Sequence, residues 1–186
     1  MNQTLEAIQN RFSCRAFTGA MPEAAQIEAI AQAAIQSPSA VNKQRWQVIV
    51  VRDAGLIAEL EAEGLRVMAA MPDQTMFERI QSRGGKLFYS APCVIFVPID
   101  PAELTGAALD CGIVCQTIAL AAQAQGLASC ICGLAGLAFA EGKAAYFKEK
   151  LAFPAGYEFG AAVLIGTAAA PGTPHTPDPA KITYIG

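Results

Sequence analysis

Two stretches of this sequence carry side chains whose types and spacing could hold a charged, flat ligand. The first is Arg11-Phe12-Ser13-Cys14-Arg15. In extended backbone, residues 11, 13 and 15 point the same way, so two guanidiniums and a hydroxyl share one side. That donor set suits a dianionic phosphate, which guanidiniums bind bidentately. Phe12 and Phe17 can anchor the segment to the core. The plainer alternative is two solvated arginines beside a serine cap. The second stretch is Ser37-Pro38-Ser39-Ala40-Val41-Asn42-Lys43-Gln44-Arg45-Trp46. Small residues around a proline let backbone come close to a flat ligand. Asn42 and Gln44 each offer a donor and an acceptor, matching the alternating polar edge of an isoalloxazine ring. The alternative here is an ordinary helix-to-strand loop, capped by Ser and Asn, with Trp46 in the core.

Other chemistries lack their residues. The single histidine, His175, excludes a multi-histidine metal site and argues against a Ser-His-Asp triad. Cys111-x3-Cys115 and Cys130-x-Cys132 do not match zinc or iron–sulfur spacing. There is no G-x-G-x-x-G, so a Rossmann dinucleotide site is unsupported. Gly136 to Gly142-Lys143-Ala144 has the wrong spacing for a P-loop and ends in alanine.

The elements that must position these residues follow from periodicity and caps. Helices are predicted over 2–10, from Pro22 to about Gln36, from an Asp53 N-cap through Ala70, over 72–83, over about 103–125 and around 137–150. Strands are predicted at 45–51, 93–99, 127–132 and 161–166. Short strands interleaved with longer helices describe an α/β or α+β sandwich. The chain of 186 residues reads as one domain, 1–186, with an extended tail over 168–186.

Composition narrows the function classes. Hydrophobic residues make up 53% and charged ones 16%, and the mean hydropathy is +0.34. That leaves little polar material to cover a monomer, so an obligate subunit interface is expected. A net charge of -3 gives no basic patch for nucleic acid. The six cysteines are expected to be reduced, partly buried thiols, since this is a core-rich chain. MNQTLEAIQNRF lacks the apolar run of a signal peptide. Residues 111–140 carry no charge and are long enough for a membrane span. Gln116, Gln123, Gln125, the Gly126 break and an alanine-rich composition favour a buried helix and strand instead. The expectation is a cytoplasmic protein with no membrane partner.

In this order, R-x-S-x-R-x-F and then P-S-x-x-N-x-Q-x-W resemble the FMN-dependent nitroreductase family. The similarity continues through Asp110-Cys111-Gly112 to Gln116, Leu120-Ala121-Ala122, Gly126 to Gly133, Gly156-Tyr157-Glu158-Phe159 and Gly166. It covers nearly the whole chain and is weakest over 53–90, a variable substrate-side region in such proteins. The resemblance implies an α+β fold, a three-layer α/β/α sandwich with a short mixed sheet flanked by helices. It also implies an obligate homodimer with FMN between the subunits. Arg11, Ser13 and Arg15 would hold the FMN phosphate and ribityl chain. Pro38, Ser39 and Ala40 would come from the partner subunit, and Asn42 and Gln44 would lie in or near the pyrimidine-ring shell. Backbone at Ile131, Cys132 and Gly133 would pack near the ring. His175 stands where such proteins commonly place a basic phosphate ligand; a surface histidine in a Pro-rich tail is the alternative.

The implied chemistry is ping-pong. NADH or NADPH delivers hydride to the flavin and leaves, and a small flat acceptor, nitroaromatic or quinone-like, takes its place. No catalytic side chain and no metal is expected. Specificity would be set by residues roughly 64–90. Cys111 and Cys115, on one helix face, read as core residues, with a redox pair as the alternative. Rival functions are reductive dehalogenation on the same scaffold, a flavin-binding protein with a sensing or storage role, and a membrane-associated protein built around 111–140.

Overall fold

Seven consecutive apolar residues, Cys93–Ile99, form a strand with every residue buried, as expected of a strand covered on both faces. In the computed structural model, which describes residues 2–186, this strand (β2) lies inside a four-stranded sheet. Its partners are β1 (Ile49–Val51), β3 (Ala128–Ile131) and β4 (Glu158–Gly166), in the order β1-β2-β4-β3. All three pairings are antiparallel; Val94 sits opposite Leu164 and Phe96 opposite Ala162. The register slips between Val97 and Pro98, where proline has no N–H to give the ladder. Among the described residues, parallel pairing enters through one isolated bridge, Ser13 to Ser129. The predicted strand at 45–51 is pared to β1, with Trp46 bridging to Ile99.

Alternation along β2 sends side chains into two separate cores. Cys93, Ile95, Val97 and Ile99 meet α2 (Ala24–Ala34) and α5 (Leu104–Ala124). Val94 and Phe96 meet α3 (Ala54–Ala69), a 3-10 segment (Gly133–Phe139) and α6 (Ala144–Lys150). Three layers result. Asp53 caps α3, accepting from Leu56 N at 2.9 Å. The helix expected around 137–150 divides into the 3-10 segment and α6. Its backbone at Gly136 lies so close to Phe159 that an added Cβ would stand 2.9 Å from the ring, and Gly142 follows before α6. Among the described residues α5 is the one helix long and apolar enough to cross a membrane. Here Cys111, Val114, Cys115, Ile118 and Ala122 bury one side of it against the sheet, while Leu109 is 67% exposed on another.

Glu63 of α3 is a buried carboxylate. Arg66 Nη2 donates to it at 2.8 Å and Lys143 Nζ approaches at 3.3 Å; Arg66 also reaches Glu141. Hydrogen bonding from Arg66 is the main reason its pKa lies below the ordinary carboxylate value, with burial opposing. The stabilisation is therefore present above pH 4.5 and lost as pH falls through the lowered folded value. Arg66→Ala leaves the buried carboxylate with one cation, Lys143, and should lower stability at pH 7. Urea unfolding should show that difference narrowing below pH 4.5.

Candidate active site

α1 (Gln3–Asn10) ends at Arg11, whose backbone is already extended. The segment then runs beside β3, with Cys14 N donating to Ser129 O at 2.9 Å. Alternation acts as expected: Cys14 is buried, while Ser13 and Arg15 face outward and Arg11 is half-buried. Phe17 is buried. Phe12 packs instead against the tail, so close to Gly172 that an added Cβ would lie 1.9 Å from its ring.

Past the end of β3, Cys132 N donates to Ala162 O at 2.7 Å and the chain turns at Gly133. A cleft of about 210 Å³ opens here, lined by Arg15 and by Cys130, Ile131, Cys132 and Gly133. The structure thus brings Arg15 together with the expected backbone 131–133. The opposite wall comes from α4 (Thr75–Gln81) and the turn after it, with Arg79 and Arg83. Three guanidiniums line the cleft, and no carboxylate lines it. Sequence reasoning missed Arg79 and Arg83. Their signal was the spacing Met76, Arg79, Ile80, Arg83, one face of a helix inside the region expected to set specificity.

Tyr89 lines the same cleft with φ 52 and Ser90 follows at 63. A left-handed tyrosine is strained backbone, retained only where its surroundings hold it. The Tyr89 carbonyl accepts from Phe17 N at 3.1 Å, which fastens the arginine-bearing segment to the cleft.

Burial disfavours the thiolate form of the two cysteines that line the cleft, Cys130 and Cys132. Burial pushes Cys132 up to about 11 and raises Cys130, with Arg15 and Arg11 partly opposing the rise at Cys130. Burial also pushes Cys93 up to about 11, and Cys115 is raised by its hydrogen bond with Cys111 and by burial. All six cysteines are buried and free. Native protein should label slowly with a thiol disulfide reagent at pH 8, against full labelling in denaturant. Stability should fall as pH rises from 9 towards 11, because the unfolded thiols ionise first.

The serine–proline loop lies elsewhere, against α5. Ser37 Oγ donates to Thr117 Oγ1 at 2.9 Å, and Ala40 N donates to the buried Asp110 at 3.1 Å. Gln44 N donates to Ser39 Oγ at 2.8 Å, and Gln44 Nε2 donates to Asn42 Oδ1 at 2.9 Å. Val41, Asn42 and Gln44 all hold positive φ. Neither Pro38, Ser39, Ala40, Asn42 nor Gln44 borders the Arg15 cleft. The tail begins by pairing with the first segment, Thr18 N donating to Thr167 O and Ala169 N to Ala16 O. His175 is exposed further along it and does not line the cleft.

A sheet between two helical layers, with an arginine-lined cleft at the end of its edge strand β3, defines an α+β sandwich with a ligand site. The chain belongs to the nitroreductase family, whose model matches residues 8–167. A crystal structure of a nitroreductase with bound FMN from Desulfitobacterium hafniense is similar over 100% of both chains, at 53% identity and a TM-score of 0.98. A nitroreductase with bound FMN from Bacteroides fragilis is 25% identical over 100% of both chains, with a TM-score of 0.90. An FMN-dependent nitroreductase from Clostridium difficile is 27% identical over 99% of both chains, with a TM-score of 0.80. No curated protein matches the chain.

Proposed function

We propose that this protein is an FMN-dependent oxidoreductase, a homodimer that passes hydride from NADH or NADPH to a small, flat, electron-poor acceptor such as a nitroaromatic or quinone. The observation that carries this reading is Arg15 beside the backbone of Ile131–Gly133 in a cleft that no carboxylate lines. The Arg15 guanidinium suits the FMN phosphate, and the backbone of Ile131–Gly133 lets a ring come close. The FMN in the similar Desulfitobacterium hafniense crystal structure supports the same assignment.

Arg11, Ser13 and Arg15 bind the phosphate and ribityl chain. Ile131, Cys132 and Gly133 pack near the ring, by contact alone at Cys132, since its N–H is taken by Ala162. At about 210 Å³ the cleft is smaller than the ~300–1,000 Å³ of small-molecule pockets. A second subunit, docked on the exposed side of α5, supplies the rest through Pro38, Ser39 and Ala40, with Asn42 and Gln44 near the pyrimidine edge. His175, exposed on the tail and outside the cleft of one chain, is the further phosphate donor of this reading. Bound FMN supplies the hydride chemistry; the chain's part is to hold it, exclude water and admit donor and acceptor in turn.

The test is an absorption spectrum of the purified protein followed by anaerobic titration with each nicotinamide. The expected result is a yellow protein that releases FMN on denaturation, bleaches with a nicotinamide and regains colour with a nitroaromatic. A colourless protein, or bound flavin that neither nicotinamide bleaches, would refute the reading.

A further inference from the structure

α4 and the turn after it bring to this cleft two cations that the flavin phosphate, as assigned above, does not need. Met76, Arg79, Ile80 and Arg83 all line it. Ile80 is 1% exposed and pins this face to the core, while Met76 is 40% exposed. Neither Arg79 nor Arg83 forms an ion pair with a carboxylate among the described residues. Facing them are Tyr89 and the 130–134 backbone. With Arg15 given to the flavin phosphate, Arg79 and Arg83 remain as two guanidiniums lining one small cleft with no carboxylate beside them, and a further anion relieves their repulsion. Apolar surface with guanidiniums at its edge is the chemistry that receives a ring bearing a carboxylate or phosphate.

Building on the flavin reading, we propose that Arg79 and Arg83 select, among molecules that exchange hydride here, those carrying such an anionic group. For 4-nitrobenzoate the reaction balances as ArNO2 + NAD(P)H + H+ giving ArNO + NAD(P)+ + H2O. The carboxylate is held by the guanidiniums and left unchanged.

The experiment compares wild type with Arg79→Gln, Arg83→Gln and the double variant, all changed at exposed positions. Three quantities are read on the protein as purified: kcat/KM for 4-nitrobenzoate against 4-nitrobenzamide, kcat/KM for NADPH against NADH, and the calorimetric Kd of unreactive benzoate. Wild type should prefer the charged member of at least one pair. In the double variant that preference should fall about tenfold or more, with lysine at either position recovering part of it. Loss of the benzoate preference and affinity assigns the site to a carboxylate; loss of the NADPH preference alone assigns it to a phosphate. Unchanged preferences in both pairs would overturn the proposal. So would loss of FMN from the variants, which would give these arginines to the flavin. A wild type without flavin would sink the flavin reading, while benzoate binding abolished in the double variant would still uphold the anion site.

Discussion

Arg15→Ala should raise the Kd for FMN by about 10- to 100-fold, the equivalent of about 1.5–3 kcal/mol for hydrogen bonds to a charged group. Arg15 is the member of the N-terminal trio that lines the cleft, and no carboxylate would be left unpaired by its removal. The apoprotein should therefore fold normally, since the side chain is exposed and the segment is held by backbone bonds, Cys14 to Ser129 and Phe17 to Tyr89. Arg11→Ala is expected to weaken FMN less, because Arg11 does not border the cleft. Fluorescence titration of apoprotein with FMN gives both constants. Wild-type affinity in Arg15→Ala would mean that the phosphate lies elsewhere.

The largest loss of stability is expected from Phe96→Ala, about 3–5 kcal/mol, against a typical margin of ~5–15 kcal/mol. Phe96 is 0% exposed. Its ring meets Phe139 at 6.1 Å and Phe159 at 6.4 Å, both edge to face. Phe139 stacks in turn on Phe159 and Phe153, at 5.2 and 5.4 Å. Removing Phe96 opens a hole between β2 and the 3-10 segment, with a stacked cluster that cannot easily slide in to fill it. Denaturant unfolding with an unchanged m-value reads the loss directly. A cost under about 1 kcal/mol would mean that the aromatic cluster collapses into the space.

Signals confined to a few residues were readable from the sequence. The β2 boundaries follow from an unbroken apolar run, and α3 begins after Asp53 because a short carboxylate there can accept from Leu56 N. The exposed–buried alternation of Ser13, Cys14 and Arg15 was likewise a matter of local period. The split at 133–150 was not, because it depends on Gly136 meeting Phe159, a residue distant in sequence. Arg79 and Arg83 look like any solvated helix face until the chain folds α4 over the end of β3. The separation between Arg15 and the serine–proline loop is also a product of the whole sheet, with Ser37 and Ala40 bonded to α5.

On the proposed reading, in which one chain walls the cleft only in part, cofactor retention becomes a question of mass action. If Pro38 and Ser39 of a second copy complete the walls, diluting the protein below its subunit dissociation constant releases flavin even though no residue has changed. Free FMN, conversely, draws the copies together, so each equilibrium reinforces the other. Protein concentration then sets thermal resistance and colour alike.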